Sequence, residues 1–438
     1  MTVAAATSPH RRGPLFALLA ANAISLTGNV FALIAIPWFV LETTGSAART
    51  GLAGFAAALP VVIAALFGGA LIDRIGFRRM SVVSDLASGV TVALIPLLHA
   101  TVGLAFWQLL VLVFLGGLLD TPGTTARMAL LPDLAGLAGM RLERANAIEQ
   151  MVQRGSQLLG APLAGIVIAA TDVSAALWID GASFAVSAAV VGLLVPSLQR
   201  SAPEASPAPA AASGPLQRYL HDLRDGLRFI RADALMLPLV AMVAVTNFLD
   251  AMIGLMAPVY AERVFGSAFA LGLLYAAVGG GAVATTILFG IAGHRLPRRD
   301  TFIWCFVLSG MGLWVLVATP GLALCVAAMV VRGFGAGPLN PILMTVGQER
   351  IPAEMRGRVL GVIGSIAWVA IPAGRLLSGV LVEWTGVIAA LAIVTTLYIG
   401  VTLSMLLIRA LRAMDAPIVA TRTRAPGWPV TVVAGRRD

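Results

Sequence analysis

Six ionisable side chains stand inside, or at the rim of, long apolar stretches: Asp85, Asp120, Asp180, Asp250, Arg332 and Arg375. A charge at the centre of a membrane helix costs roughly 2.5–3.5 kcal/mol on insertion scales, so each of these needs a partner or a function. The chemistry they offer is proton binding. A buried carboxylate near a guanidinium can exchange an ion pair for a protonated acid. Asp250 and Arg332 are the sharpest such pair, with Asp120 in reserve. The competing reading is a static ion pair that orders two helices. Asp85 reads as structural, entering its helix from the cytoplasmic end near several arginines. Asp180, close to an outer helix end, also reads as structural, and Arg375 can snorkel to the surface. Other chemistries find no group to carry them. His10, His99, His221 and His294 are scattered, and Cys305 and Cys325 form no CxxC pair, so no catalytic group, metal site or bound cofactor is expected. The Gly triplet at 279–281 lacks the Lys-Ser/Thr of a phosphate loop and reads as close helix packing.

The elements that must position these residues follow from composition. The chain has 438 residues, of which 59% are apolar and 12% charged, and its mean hydropathy is +0.92. Soluble domains carry about 25% charge, so an ordinary soluble domain is excluded. Disorder is excluded by the same figures. A spanning helix needs about 20 mainly apolar residues. Twelve runs qualify: 15–41, 51–72, 82–99, 105–126, 151–170, 174–195, 235–260, 269–292, 302–319, 322–346, 359–382 and 387–409. They are called spans 1 to 12 below. The predicted fold class is an all-α membrane protein of twelve transmembrane helices.

All thirty basic residues are Arg, and the net charge is +9. The arginines lie between apolar runs, so their partner is the anionic face of a bilayer rather than nucleic acid. With the N-terminus inside, 26 of the 30 fall in cytoplasmic segments and only Arg49 and Arg263 lie outside. Both termini are therefore expected in the cytoplasm. The absence of Lys alongside abundant Ala suits a G+C-rich bacterial genome, and hence a bacterial cytoplasmic membrane.

A polar Ala/Pro/Ser stretch at 197–215 divides the chain. It runs into an amphipathic segment in which Leu216, Leu220, Leu223, Leu227 and Ile230 oppose Arg218, Asp222, Arg224 and Arg228. Such a helix lies on the cytoplasmic membrane surface or is simply solvated. The expected organisation is an N-tail at 1–14, a six-helix bundle at 15–196, a cytoplasmic linker at 197–234, a second six-helix bundle at 235–410 and a C-tail at 411–438. The two bundles repeat each other. TGSAARTGL at 44–52 matches FGSAFALGL at 265–273, a shift that also pairs Pro37 with Pro258 and Asn29 with Asp250. An even helix number keeps the halves parallel, an architecture common in transporters.

After span 2 the chain reads GGALIDRIGFRR, with Gly69, Asp73, Arg74, Gly76, Arg78 and Arg79. This resembles the signature loop of the major facilitator superfamily. There the loop implies a cytoplasmic gate latched by the Asp and its basic neighbours. Phe77 stands where the first basic residue usually stands. ISLTGNVFALIAIPWFVLETTGSA, RMALLPDL, RANA and QERIPAEMRGRVLG resemble the bacterial efflux branch of enterobactin exporters and macrolide-efflux proteins. In span 5, Gly155, Gly160, Pro162 and Gly165 partly match the Gly/Pro motif of the superfamily's antiporters; the rival reading is a tightly packed, kinked helix. Arg332 opens RGFGAGP, similar to an Arg-then-Gly motif that normally occupies span 4. Span 4 as delimited carries no Arg, so that role does not transfer to it.

The resemblance implies that spans 1, 4, 7 and 10 line a central cavity. The expected function is a secondary active exporter of amphipathic small molecules, working as a monomer with membrane lipids around it and driven by the proton motive force. An importer or facilitator on the same fold is the alternative. A membrane enzyme or a sensor is less well supported, because no polar catalytic cluster appears.

Overall fold

The computed structural model describes residues 11–197, 215–352 and 355–415, apart from the side chains of 64–74, 215–220, 222 and 294. Among these residues every regular element is a helix. The long helices are α1 Gly13–Thr44, α2 Ala47–Ile75, α3 Phe77–Thr101, α4 Phe106–Leu137, α5 Leu142–Ala170 and α6 Val173–Leu194. After the linker come α7 Pro215–Ala232, α8 Met236–Tyr260, α9 Ala268–Ala292, α10 Arg298–Val317, α11 Leu322–Ala336, α12 Leu339–Arg350, α13 Arg356–Thr385 and α14 Val387–Ser404. Ten described segments are long and apolar enough to cross a membrane. α11 and α12 count as one of these, Leu322–Arg350, broken after Gly337 at Pro338, which has no amide hydrogen to donate. The other two expected spans are α2, whose described apolar part is Ala47–Ile63, and α5, whose first half carries Glu143, Arg144, Glu149 and Arg154.

The chain forms two units. Unit 1 holds α1, α2 from Leu52 onward, α3 to α6 and the short segment Ser267–Gly272. Unit 2 holds Ser46–Gly51, α7, α8 and the chain from Leu273. Within unit 1, α1 packs on α5 and α6, and α3 packs on α4 and α6. Within unit 2, α8 packs on α13 and α14, and α10 packs on α11 and α14. Counted as spans, each half uses the same scheme: first on fifth and sixth, third on fourth and sixth. Repetition in sequence is thus repetition in packing.

The repeated Gly-Ser-Ala has a local cause. Gly45 and Gly266 end their helices with φ of +65° and +58°, a left-handed conformation that favours glycine. Ser46 and Ser267 then cap the next helix, their hydroxyls accepting from the amides of Arg49 at 3.2 Å and Ala270 at 3.3 Å. Ala47 and Ala268 are buried beneath the turn.

The amphipathic α7, in which the side chains of Leu216, Leu220, Arg218 and Asp222 lie outside the described residues, does not float free. It packs on α13, and Gly226 permits the approach. A Cβ there would come within 2.6 Å of the Val362 side chain and 3.1 Å of the Arg358 carbonyl. Asp225 binds Arg358 at 3.4 Å and His221 at 3.3 Å. Near the end of the same linker, Arg350 grips both carboxylate oxygens of Asp233 at 3.2 and 3.1 Å.

The structure changes one boundary that matters. Span 4 does not end at residue 126. α4 continues to Leu137, with Pro122 and Pro132 inside it. Arg127, assigned by sequence to a cytoplasmic loop, is therefore a helix residue, and it is fully buried.

Candidate functional site

In unit 2 the Asp250 carboxylate of α8 accepts a charge-assisted hydrogen bond from Arg332 of α11 at 2.7 Å. The sequence thus pairs two residues 82 positions apart that the fold also pairs. Glycines hold Arg332 in place. A Cβ on Gly333 would overlap the Val278 carbonyl, and one on Gly281 would overlap the Val330 carbonyl, so α9 and α11 touch backbone to backbone. This is the packing role read for the Gly triplet. On the other flank, a Cβ on Gly312 of α10 would lie 2.6 Å from the Ala328 carbonyl. Ser309 donates to the Arg332 carbonyl at 3.3 Å. Clamped between α9 and α10, Arg332 reaches toward α8.

The pair forms the charged edge of a cavity of about 240 Å³. Its wall is otherwise apolar, with Ile253, Met256, Leu274, Val278, Leu313, Leu316, Met329 and Leu391, plus Tyr260 and Tyr275. The Arg332 side chain is 14% exposed and the Asp250 side chain 38%, so the carboxylate is the charge presented to a ligand. The tyrosine hydroxyls are already engaged: Tyr260 donates to the Leu316 carbonyl at 2.9 Å and Tyr275 to the Gly254 carbonyl at 3.0 Å. They offer ring faces rather than free donors. Drug-sized pockets run to about 300–1,000 Å³, and this cavity lies just below that range. Its methionines can repack around differing shapes.

Unit 1 has a polar seam along α1. Asn22 donates to both oxygens of Glu149 on α5, each at 3.1 Å. One turn on, Ser25 lies 3.4 Å from Arg127. Arg127 binds Asp85 of α3 at 2.5 Å, with both side chains wholly buried, and Ser187 of α6 donates to the other Asp85 oxygen at 2.7 Å. One turn further, Asn29 donates to Asp120 of α4 at 3.2 Å. Asp85 therefore has the arginine partner that its position suggested, but that partner comes from α4. Arg127 and the seam were missed because span 4 ends at residue 126, where its apolar run meets an arginine. The seven-residue spacing of Asp120 and Arg127, two turns on one face, was the available signal.

Asn29 and Asp250 occupy matching positions in the repeat. In each half the first helix reaches the fourth through that residue: Asn29 to Asp120, and Asp250 to Arg332. The scaffold is shared while the charge differs.

The signature segment after span 2 is not a loop in the ordinary sense. α2 runs to Ile75, Gly76 turns the chain at φ +86°, and α3 begins at Phe77. Phe77 packs against Met80 and Ala126, so the position that departs from the family pattern anchors the turn in the bundle. Arg78 donates to the Gly192 carbonyl of α6, and Arg79 is exposed. The side chains of Gly69, Asp73 and Arg74 lie outside the described residues. In α5, Gly160 admits Val30 of α1, whose Cβ would lie 3.0 Å from an added methyl group. Gly165 faces the Ala268 carbonyl at 2.7 Å on the same measure. Pro162 lies inside the helix between them, and nothing lies within 4 Å of a Cβ on Gly155.

Residues 18–285 and 239–429 match the Major Facilitator Superfamily. The chain belongs to that family. Among its relatives, the multidrug efflux pump Tap of Mycolicibacterium fortuitum is 30% identical over 404 residues, covering 91% of this chain and 94% of the pump. Macrolide efflux protein A of Streptococcus pyogenes is 20% identical, covering 91% of this chain and 97% of that protein. Among solved structures, the nucleoside transporter NupG superposes with a TM-score of 0.72 over 90% of this chain and 98% of its own, at 11% identity. That likeness concerns the major facilitator fold. The facilitator chain described here is a multi-pass membrane protein built as a transporter.

Proposed function

We propose that the protein exports amphipathic small molecules from a bacterial cell. The observation that carries this reading is the near full-length, 30% identical match to a pump whose name records multidrug efflux. The unit 2 cavity supports it. Apolar walls with two aromatic rings and one presented carboxylate suit a lipophilic cation, which such a site holds by contact area and one charge rather than by a set of specific hydrogen bonds.

The energy source in this reading is the proton gradient. A cation entering the cavity competes with Arg332 for Asp250, and a proton on Asp250 would release both. Binding of cargo and of proton would then exclude each other at one carboxylate, which is the requirement for exchange. The protein works as a monomer in the cytoplasmic membrane with both termini inside, its arginines on the anionic face.

The test is transport by the purified protein in liposomes. With an imposed pH gradient, wild-type protein should drive a fluorescent lipophilic cation against its concentration gradient, and an uncoupler should abolish the movement. Expression in cells should lower accumulation of the same dye. Higher accumulation in expressing cells would instead establish the importer on the same fold.

A further inference from the structure

Asp180 is used by nothing described so far. It is the eighth residue of α6, about 10 Å from the helix start at 1.5 Å per residue. Its side chain is fully buried, and neither carboxylate oxygen has a hydrogen-bond partner. The Ser183 hydroxyl lies close to the carboxyl but donates to the main-chain carbonyl of Asp180 at 2.8 Å. Opposite stands Gly28 of α1, where a Cβ would overlap the Ser183 Oγ and lie 2.6 Å from the Asp180 Oδ1. The space for the carboxyl and this hydroxyl therefore exists because residue 28 has no side chain.

An ionised carboxylate can accept about four hydrogen bonds, and this one accepts none. The charged groups on the packed elements offer no compensation. α1 carries no ionisable residue between Gly13 and Leu41, and Asp180 is the only one in α6. On α3, Asp85 is paired with Arg127 of α4, near Ser187, two turns or about 10 Å along α6 from Asp180. Arg78, Arg79 and His99 lie toward the ends of α3. On α5, Glu149 is held by Asn22, two turns from Gly28, while Glu143, Arg144 and Arg154 precede the apolar part of that helix. The ionisable group at the same level is Asp120 of α4, bound to Asn29, the residue next to Gly28. One Asp120 oxygen also lacks a partner. Two carboxyls thus flank adjacent residues of α1; the cation near Asp120 is Arg127, two turns along α4, and it is bound to Asp85.

We propose that Asp180, with Asp120 beside it, is a second proton site of the transporter, lodged in unit 1 and separate from the Asp250 cavity of unit 2. Asp180 enters the cycle as the carboxylic acid, the form its surroundings accommodate. It loses that proton when α1 and α6 shift enough to admit water at Gly28. The inference rests on the proton-driven reading above for its part in transport, while the presence of the acid itself does not.

Infrared spectroscopy of the purified full-length protein at neutral pH tests the acid directly. The wild type should show the C=O stretch of a protonated carboxylic acid, and Asp180→Asn should lose a component of that band. An unchanged band overturns the proposal. Asn is isosteric with the neutral acid, so the variant should fold; failure to give monodisperse protein would mark a structural carboxylate and also overturn it. In liposomes, Asp180→Asn should keep counterflow near the wild-type rate while gradient-driven accumulation falls at least tenfold. A lost band with wild-type pumping would make Asp180 a static acid and sink its role as a proton site. If wild-type protein moves no cation under a pH gradient, the exporter reading fails, and the infrared result still decides whether Asp180 holds a proton.

Discussion

Removing Arg127 tests whether the sealed network in unit 1 is what holds that bundle together. Arg127 and Asp85 approach to 2.5 Å with no solvent exposure on either side chain, and Ser187 supplies a further donor to Asp85 at 2.7 Å. Arg127→Met keeps the aliphatic volume but leaves the Asp85 charge facing hydroxyls only. Breaking a buried pair by deleting one partner costs about 3–5 kcal/mol. A domain of this size shifts its melting point by roughly 2–4 °C per kcal/mol, so the expected loss is roughly 6–20 °C. The assay is thermal unfolding in detergent, followed by tryptophan fluorescence and by loss of the monodisperse peak. Trp38, buried on α1, and Trp107 and Trp178 report on this unit. Asp85→Asn combined with Arg127→Met removes both charges, so it should be no less stable than Arg127→Met alone, a strongly non-additive result. A single variant melting within about 2 °C of wild type, or costs that simply add, would refute the account.

Asp250→Asn should abolish pH-driven accumulation while leaving ligand binding within a few fold, because the amide still lines the cavity but cannot carry a proton; wild-type pumping by the variant would remove Asp250 from coupling. Gly333→Ala should cost about 1–3 kcal/mol or more, since the new methyl meets the backbone carbonyl of Val278 rather than a movable side chain; a melting curve matching wild type would show that α9 and α11 are not packed as described. A single Cys placed at position 172 or 320, with Cys305 and Cys325 replaced, should react with an impermeant reagent from outside, and one at 205 should not; labelling at 205 would reverse the topology. Asp73→Asn should impair flux in protein that still folds, as expected of a gate latch used in only one of two alternating states, and undiminished flux would count against that role.

Much of this was legible in the sequence because the bilayer simplifies the problem. A membrane span is a length of apolar residues, so the helices and their repetition emerged from counting. The match between Gly45-Ser46-Ala47 and Gly266-Ser267-Ala268 marked a turn that needs a left-handed glycine, a hydroxyl cap and a small buried residue in that order. The Asp250–Arg332 pair was legible because two charges in two apolar runs have few places to go. What failed was the inference from sequence to helix end. In sequence, span 4 ends where its apolar run meets Arg127, yet α4 continues to Leu137 because Asp85 satisfies that arginine inside the bundle. That single error sent Arg127 into a loop and hid the seam.

The hidden seam changes how the charges divide between the halves. Unit 2 presents an anion and a cation at one cavity, joined at 2.7 Å, an arrangement that another cation can disturb. Among its described residues, unit 1 buries Asp85, Glu149 and Asp180 fully and Asp120 partly, with one fully buried guanidinium, Arg127. Asp85 is matched by Arg127 and Glu149 by Asn22, whereas neither Asp180 oxygen has a hydrogen-bond partner, and a buried carboxyl without partners is costly. The two halves share packing, turns and the reach from first helix to fourth, so their difference lies in what those positions bind. On the proposals above, the half whose cavity joins Asp250 to Arg332 would meet the cargo, and the half that buries Asp180 beside Asp120 would hold the second proton.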